Sequence, residues 1–194
     1  MTAAPKADVR QKLVETAGRL FYTQGYQATG INQIIDEADV CKASFYNHFP
    51  TKEDLLVAWL ERNHNEATAR VRSLLAQSLG PKELVGEIFR FHEEQLSASG
   101  FRGCPFMNCL AEMPVADGRV RQVMQWHITT MRQVLEEIVG RVTRDRELRK
   151  EQISALADDV EVVMQGGLTN ARTTVDLKPL RHAKQMTLRI LGLA

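Results

Sequence analysis

The sequence predicts an all-α protein. Its apolar residues recur at the three- and four-residue intervals of a helix face, and no sustained two-residue alternation indicates strands. With 194 residues, of which 44% are hydrophobic, the chain can bury a sizeable core and is long enough for one small and one larger domain. We expect a three-helix helix-turn-helix domain over residues 1–50 and a larger helical domain over residues 51–194.

Three helices are predicted in the first domain, beginning with one from about Val9 to Thr23. The apolar stripe of this first helix consists of Leu13, Ala17, Leu20 and Phe21. A second, short helix follows with Thr29 as its N-cap, and its apolar face consists of Ile31, Ile34, Ile35 and Ala38. The chain then reverses at Asp39, a residue type that tolerates a left-handed backbone.

The third helix is predicted from Lys42 to His48, and Pro50 stops it. Phe45 and Phe49 are expected to face the core. The other face carries positive charge and hydrogen-bonding groups, on Lys42, Ser44, Tyr46, Asn47 and His48. Such a face suits DNA phosphates and base edges, so the pattern favours a DNA-reading helix-turn-helix.

The rest of the chain is also predicted to be helical. Thr51 caps a long helix that runs to about Leu79, and Gly80 and Pro81 end it and begin the next. The later helices are predicted from Pro81 to about Ser97, from Phe106 to Glu112, from Val115 or Ala116 to about Val142, from Glu151 to Thr173, and from Leu177 to Leu191.

Several features between Val9 and about Leu60 lie in register with a known pattern: Leu20-Phe21, Gly25-Tyr26, Thr29, Val40, Lys42, Phe45-Tyr46, Phe49-Pro50 and Lys52-Glu53. In these residues the chain resembles the TetR family of bacterial transcriptional regulators. It departs from the family at Gly30, Asp39 and Cys41, where a larger side chain, glycine and serine are usual. The resemblance implies a homodimeric repressor that a small-molecule effector releases from a palindromic operator in double-stranded DNA. A cytoplasmic location is expected because no membrane span and no secretory signal are predicted.

The resemblance also implies a set of DNA contacts: Thr29, Lys42, Ser44, Tyr46, Asn47, His48 and Lys52. Among these residues, Tyr46 and Lys52 are expected to position phosphates. The bases are expected to be reached by Lys42, Ser44 and Asn47, and the amide of Asn47 is chemically suited to adenine.

The family resemblance further predicts that the last two helices pair with the same helices of a second subunit. The residues expected at this interface are Ile153, Leu156, Ala157, Val160, Val163, Met164, Gly167, Leu168, Leu180, Met186, Ile190 and Leu191. The alternative is that this stripe packs within one subunit.

A small, partly apolar effector is expected in the larger domain. The candidate lining residues are Phe89, His92, Cys104, Phe106, Met107, Trp126, His127, Met131 and Gln165, with Cys109, Met113 and Met164 beside them. Each of them is equally well explained as a core residue.

The segment 103–112 resembles a Gly-Cys turn of TetR regulators that include the electrophile-responsive N-ethylmaleimide reductase repressors. Cys104 at a helix start would favour a thiolate, and Cys109 could act as its resolving thiol. Buried packing is the alternative that we favour. An alternative function of a different kind is a helical enzyme that uses Cys104 with His92 or His127. No nucleophile elbow or phosphate-binding loop accompanies these residues.

Composition limits the other possibilities. Twenty-five Lys and Arg against 24 Asp and Glu give a net charge of +1, so attraction to DNA must come from local arrangement. Three cysteines do not form a disulfide framework, and two of them without a dense Cys/His cluster predict no metal site. No membrane span, secretory signal or cofactor is predicted. An architectural DNA-binding protein without an effector is a further alternative, which the large second domain disfavours.

Overall fold

The computed structural model describes residues 6–113 and 118–194. Within those ranges every regular element is helical, which confirms the predicted all-α fold. The helices are α1 (Lys6–Gln24), α2 (Ile31–Glu37), α3 (Lys42–His48), α4 (Lys52–Leu75), α5 (Pro81–Ala98), α6 (Pro105–Glu112), α7 (Arg119–Val142), α8 (Lys150–Thr174) and α9 (Lys178–Ile190), with a 3-10 turn at Arg144–Arg146. The predicted start of α7 at Val115 or Ala116 lies outside the described residues.

The chain forms two compact units, each with its own apolar core. Unit 1 comprises residues 1–65 and 104–126, and unit 2 comprises residues 66–103 and 127–194. Helices α4 and α7 each run from one unit into the other along the chain. The expected division into functional domains at residue 50 stays a prediction.

The core of unit 1 is built from the apolar faces that the sequence predicts. Leu13, Ile34, Phe45 and Leu55 are fully buried there. Residues four and seven positions further along α1 are also buried, as the period of an amphipathic helix requires. The cap of α4 is confirmed as well, since the N–H of Asp54 donates to Thr51 Oγ1 at 3.1 Å.

Helix α4 ends at Leu75 and not near Leu79, so the predicted end is wrong by four residues. The guanidinium of Arg141 on α7 donates to the carbonyl of Leu75, and to those of Gln77 at 2.6 Å and Leu79 at 3.4 Å. These bonds satisfy carbonyls that lack partners beyond a helix end, so the chain can leave the helix early. Gly80 and Pro81 then begin α5 as predicted.

Unit 2 is centred on the packing of α8 against α9. A Cβ built on Gly167 would lie 2.5 Å from the Cβ of Ala183, so the absence of a side chain allows this close approach. The Cα of the buried Leu180 lies 3.4 Å from the same position, and Leu188 and Leu191 are buried in the same core.

The stripe expected at a subunit interface lies mostly inside this unit. Ala157, Val160, Gly167, Leu180 and Leu191 are buried in the single chain. The other members of the stripe, Met186 excepted, pack partly buried against the same core: Ile153, Leu156, Val163, Met164, Leu168 and Ile190. The buried members therefore pack within one subunit, which is the alternative stated for this stripe. Pairing of the last two helices with a second subunit stays a prediction.

A membrane span would need a long and strongly apolar helix, and none of the helices in the described ranges meets that requirement.

Candidate nucleic-acid interface

Helix α3 buries its aromatic anchors and exposes most of its polar side chains. Phe45 and Phe49 are 0% and 3% exposed, as predicted. Tyr46 is 43% exposed, and Lys42 and Asn47 are exposed as well. The predicted polar face is therefore accessible to a large ligand, with the half-buried Ser44 and His48 at its margins.

The turn between α2 and α3 has the backbone that the sequence predicts. Asp39 has φ of 51°, in the left-handed region. The N–H of Val40 donates to the carbonyl of Ile35 at 3.2 Å, and the side chain of Val40 packs against the core of unit 1. Cys41 is the N-cap of α3 and is exposed. This turn fixes α3 against α2 with few residues.

Thr29 is not the N-cap of α2, which corrects the prediction. Gly30 is the N-cap, and Thr29 is only 1% exposed. Its hydroxyl donates to the carbonyl of Gly25 at 2.6 Å and accepts a hydrogen bond from Gln24 Nε2 at 3.2 Å. The side chain thus closes the turn between α1 and α2, while its expected contact with DNA stays a prediction.

The ammonium of Lys52 is directed into the same turn. It donates to the carbonyls of Tyr26 and Thr29, both at 2.9 Å, and lies 4.2 Å from the centre of the Tyr26 ring. Burial lowers the pKa of Lys52, against the opposing effect of the Glu112 carboxylate. Two of its three N–H donors are therefore engaged with protein, which leaves at most one for a phosphate.

Sequence reasoning did not select Arg10 as a candidate for DNA binding. This exposed residue of α1 places its guanidinium 5.3 Å from the centre of the Phe49 ring, beside the end of α3. Phe49 was expected to face the core, and Arg10 lies on the first predicted helix, but only the tertiary packing brings the two together.

The predicted effector-lining residues are divided between the two units. Phe106 is buried in the core of unit 1, where Met107 is 49% exposed and Cys104 is half-buried. Phe89 is buried in the core of unit 2. Unit 2 also contains His92, the half-buried His127 and Met131, and the exposed Gln165.

Burial favours the neutral forms of the half-buried His92 and the buried His64. Burial lowers the pKa of His92 to about 4 and also lowers the pKa of His64. The ring of His64, which is 2% exposed, lies 3.6 Å from the ring of Trp126, centre to centre. Trp126 itself is 45% exposed. Sequence reasoning selected Trp126 but missed His64, whose partner lies 62 positions away.

The thiols of α6 do not have the expected ionisation. Cys104 is the N-cap of α6, as the sequence suggests. Burial nevertheless raises the pKa of the Cys104 thiol, and the backbone N–H groups of Met107 and Phe106 only oppose this effect. Burial, with the nearby Glu112 carboxylate, raises the pKa of Cys109 to about 11. The thiolate that a helix start would favour at Cys104 is therefore disfavoured.

A surface cavity of about 620 Å³ lies along α5 and α9 and is lined mainly by charged side chains. Its lining residues are Lys82, Glu83, Gly86, Glu87, Arg90, Glu93 and Lys184. None of them belongs to the predicted effector set. Among the residues that the structure describes, no three His, Cys, Asp or Glu side chains are grouped to hold a metal ion.

Comparisons with known proteins extend over both parts of the chain. Residues 13–59 match the family described as bacterial regulatory proteins, tetR family, and residues 82–187 match the tetracyclin repressor-like C-terminal domain. The HTH-type transcriptional regulator LmrA of Bacillus subtilis is 28% identical over 177 residues, which cover 90% of this chain and 92% of LmrA.

Solved structures show the same likeness. SCO4454, a TetR-family transcriptional regulator from Streptomyces coelicolor, has a TM-score of 0.79 at 25% identity, covering 96% of this chain and 93% of its own. The reduced form of NemR from E. coli has a TM-score of 0.78 at 22% identity, covering 94% and 96%. At that identity the likeness to NemR concerns the fold alone.

Proposed function

Because the chain belongs to the TetR family of bacterial regulatory proteins, we propose that it is a homodimeric, cytoplasmic repressor that binds a palindromic operator and leaves it when a small effector binds. The observation that carries this proposal is the exposed polar face of α3, held in place by the buried rings of Phe45 and Phe49. A helix mounted in this way can enter a major groove without rearranging its own core.

The accessible side chains of α3 are the ones to which we assign the DNA contacts. Lys42, Ser44 and Asn47 read base edges, and Tyr46 binds a phosphate. His48 contributes at the margin of this face. We add Arg10 as a phosphate contact, since its exposed guanidinium lies beside the end of α3.

Thr29 and Lys52 act mainly by holding the backbone that carries α2. Their polar atoms already bond the turn between α1 and α2, as the distances of 2.6 and 2.9 Å indicate. A direct DNA contact by either residue would be through the remaining donor of Lys52 or through the backbone near Thr29.

A homodimer supplies two α3 helices related by a twofold axis, spaced by about 34 Å or a multiple of it to reach successive major grooves. We assign the interface to the outer faces of α8 and α9. Val162 is 73% exposed and Met186 is 38% exposed, and nothing lies within 4 Å of a Cβ built on Gly166. Apolar or small residues on these faces allow a second pair of helices to pack closely.

The effector acts in this proposal by favouring a conformation whose α3 spacing does not match the operator. The size of the effect equals the difference in effector affinity between the two conformations. Helix α4 is a suitable connection, because it runs without a break from Lys52 in unit 1 to Leu75 in unit 2.

We favour a noncovalent effector over an electrophile at Cys104. Reaction with an electrophile requires the thiolate, and burial raises the pKa of both Cys104 and Cys109. The same property disfavours an enzyme that uses Cys104 as its nucleophile.

The test is fluorescence anisotropy with labelled duplexes that tile the DNA flanking the protein's own gene, together with a scrambled duplex of equal length. We expect one tile to bind at least about 1,000-fold more tightly than the scrambled duplex at fixed salt. Sedimentation of the unbound protein should show a dimer. Equal affinity for all duplexes would contradict a sequence-specific regulator. A monomer would contradict the proposal that two α3 helices of a dimer bind the two halves of a palindromic operator.

A further inference from the structure

Residues 104–126 lie far along the chain from the DNA-reading helices but fold with them in unit 1. This segment contains α6 and the first part of α7, and at both ends the chain continues into unit 2. Two charged side chains of the segment, Glu112 and Arg119, bond to residues around the helix-turn-helix. They stand immediately before and after the connection between α6 and α7.

Glu112, the last residue of α6, holds the turn between α1 and α2. Its Oε2 accepts a hydrogen bond from the backbone N–H of Gln27 at 2.9 Å. A Cβ built on Gly25 would lie 2.9 Å from Oε1 and 3.0 Å from Oε2 of the same carboxylate. Gly25 has φ of +101°, so a glycine at this position provides both the backbone conformation and the room for the carboxylate.

The turn is bonded from two sides by opposite charges. The carboxylate of Glu112 accepts a hydrogen bond from the N–H of Gln27, while the ammonium of Lys52 donates to the carbonyls of Tyr26 and Thr29. An anion thus meets a backbone donor, and a cation meets two backbone acceptors, which is the arrangement that makes hydrogen bonds strong. Helix α2 begins directly after this turn, with Gly30 as its N-cap.

Arg119, the first residue of α7, provides the second attachment. Its guanidinium is paired with the carboxylate of Asp54. Asp54 also accepts hydrogen bonds from the N–H of Thr51 at 3.1 Å and from the Thr51 hydroxyl at 2.7 Å, where α4 begins. The turn before α2 and the start of α4 are therefore each bonded to one charged side chain of the same segment.

From these contacts we propose that Glu112 is a positioning residue for DNA binding: by bonding the N–H of Gln27 it fixes the turn that sets α2, and through α2 the recognition helix α3. The inference rests on the proposed function for its effect on DNA, but the positioning itself is independent of DNA. A shift of α6 would act on Gln27 directly through this hydrogen bond, in addition to its packing in the core of unit 1. Glu112 itself does not contact the operator.

The test compares Glu112→Ala with Glu112→Asp, Glu112→Gln and the control Glu137→Ala, which removes a carboxylate of α7 outside this segment. Glu112→Asp keeps the charge but shortens the reach, and Glu112→Gln keeps an acceptor oxygen at the same reach. Hydrogen exchange of the Gln27 amide should become about tenfold faster in the Ala and Asp variants, because a hydrogen bond to a charged group is lost. The Gln variant should change much less, and the control should match wild type.

Affinity for the tightest tile of flanking DNA should fall about tenfold in the Ala and Asp variants and stay within about threefold in the Gln variant. If wild type binds its tile and all variants bind equally well, the inference is overturned. If wild type binds no tile specifically, the proposed function fails, and hydrogen exchange of the Gln27 amide alone then tests whether Glu112 positions the turn. Unchanged exchange of this amide in the Ala and Asp variants would overturn the positioning role of Glu112. Should the Ala variant fail to fold, the Asp and Gln variants provide the same comparison.

Discussion

Gly167 of α8 faces Ala183 of α9 so closely that a Cβ on the glycine would lie 2.5 Å from the Cβ of the alanine. Real Cβ atoms do not approach to this distance, so the helices must separate if position 167 gains a side chain. We expect Gly167→Ala to lower the free energy of unfolding by about 1–3 kcal/mol through overpacking. Urea unfolding at fixed protein concentration measures the change.

Gly86 of α5, which lies outside the proposed dimer interface, is the control. A Cβ built there would meet only the end of the Lys184 side chain, 3.6 Å away at Nζ, so Gly86→Ala gains helix propensity without a clash. The expected change is a gain of about 0.5–1 kcal/mol in the free energy of unfolding. Equal effects of the two substitutions would show that α8 and α9 do not pack in this way.

Val175 ends α8 in the left-handed region, with φ of 52°, and is 66% exposed. A β-branched residue is strained there, while asparagine adopts this conformation readily. Val175→Asn should therefore raise the free energy of unfolding by about 1 kcal/mol. In the exposed helical position Val162, the same replacement should bring no gain, and thermal unfolding of both variants makes the comparison.

The three thiols should differ in their reaction with iodoacetamide. Cys41 is exposed, whereas Cys109 is buried and has its pKa raised to about 11. Burial also raises the pKa of Cys104. We expect native protein at pH 8 to be alkylated first at Cys41, with Cys104 and Cys109 modified at comparable rates only after unfolding. Peptide mass spectrometry over a time course gives the order, and early labelling of Cys104 would revive the electrophile-sensing alternative.

His92 should make stability depend on pH in the acid range. Its pKa is lowered to about 4 in the folded protein, while the unfolded chain has a value of about 6.5. Between these values the unfolded state binds more protons than the folded state. The contribution of His92 to the free energy of unfolding is therefore complete above pH 6.5 and is lost as the pH falls toward 4. The loss amounts to at most about 3 kcal/mol.

The check for His92 is urea unfolding from pH 7 to pH 4. His92→Gln should flatten the dependence, leaving the smaller part that His64 adds in the same direction. The exposed His182→Gln is the control and should retain the wild-type slope. An unchanged slope in the His92 variant would mean that the pKa of this side chain is not lowered in the folded protein.

Asn47 and Arg10 should affect DNA binding differently. Asn47→Ala should cost about 1–3 kcal/mol of binding free energy on the preferred duplex and relax discrimination at one base pair. Arg10→Ala should weaken binding about equally on all duplexes and lower the salt slope by about 1. Asn65→Ala, an exposed change on α4, is the control. Anisotropy titrations at several salt concentrations separate a base contact from a phosphate contact.

The local part of this architecture is readable from sequence. Helix α3 begins at Lys42 and ends at His48, as predicted, and the left-handed backbone at Asp39 is confirmed. These features depend on apolar spacing, a stop at Pro50 and a residue that accepts positive φ, all within a few positions. Short-range chemistry is sufficient to determine them.

Other features depend on partners far along the chain and were missed for that reason. The early end of α4 depends on Arg141, and the attachment of the α1–α2 turn depends on Glu112. Thr29 is a residue type that commonly caps helices, but its hydroxyl donates a hydrogen bond to the carbonyl of Gly25 instead. Hydrophobic spacing likewise identifies the apolar face of α8 without telling whether α9 or a second subunit covers it.

The exposed thiol of Cys41 gives the wild-type chain a built-in attachment point for a spin label. It lies at the N-cap of α3, while the raised pKa of Cys104 and Cys109 slows their reaction with the reagent. In a symmetric dimer, one label on each chain would allow pulsed electron paramagnetic resonance to read the separation of the two α3 helices as a distance distribution. Candidate compounds could then be screened by whether they move that distribution, even while the operator sequence is still unidentified.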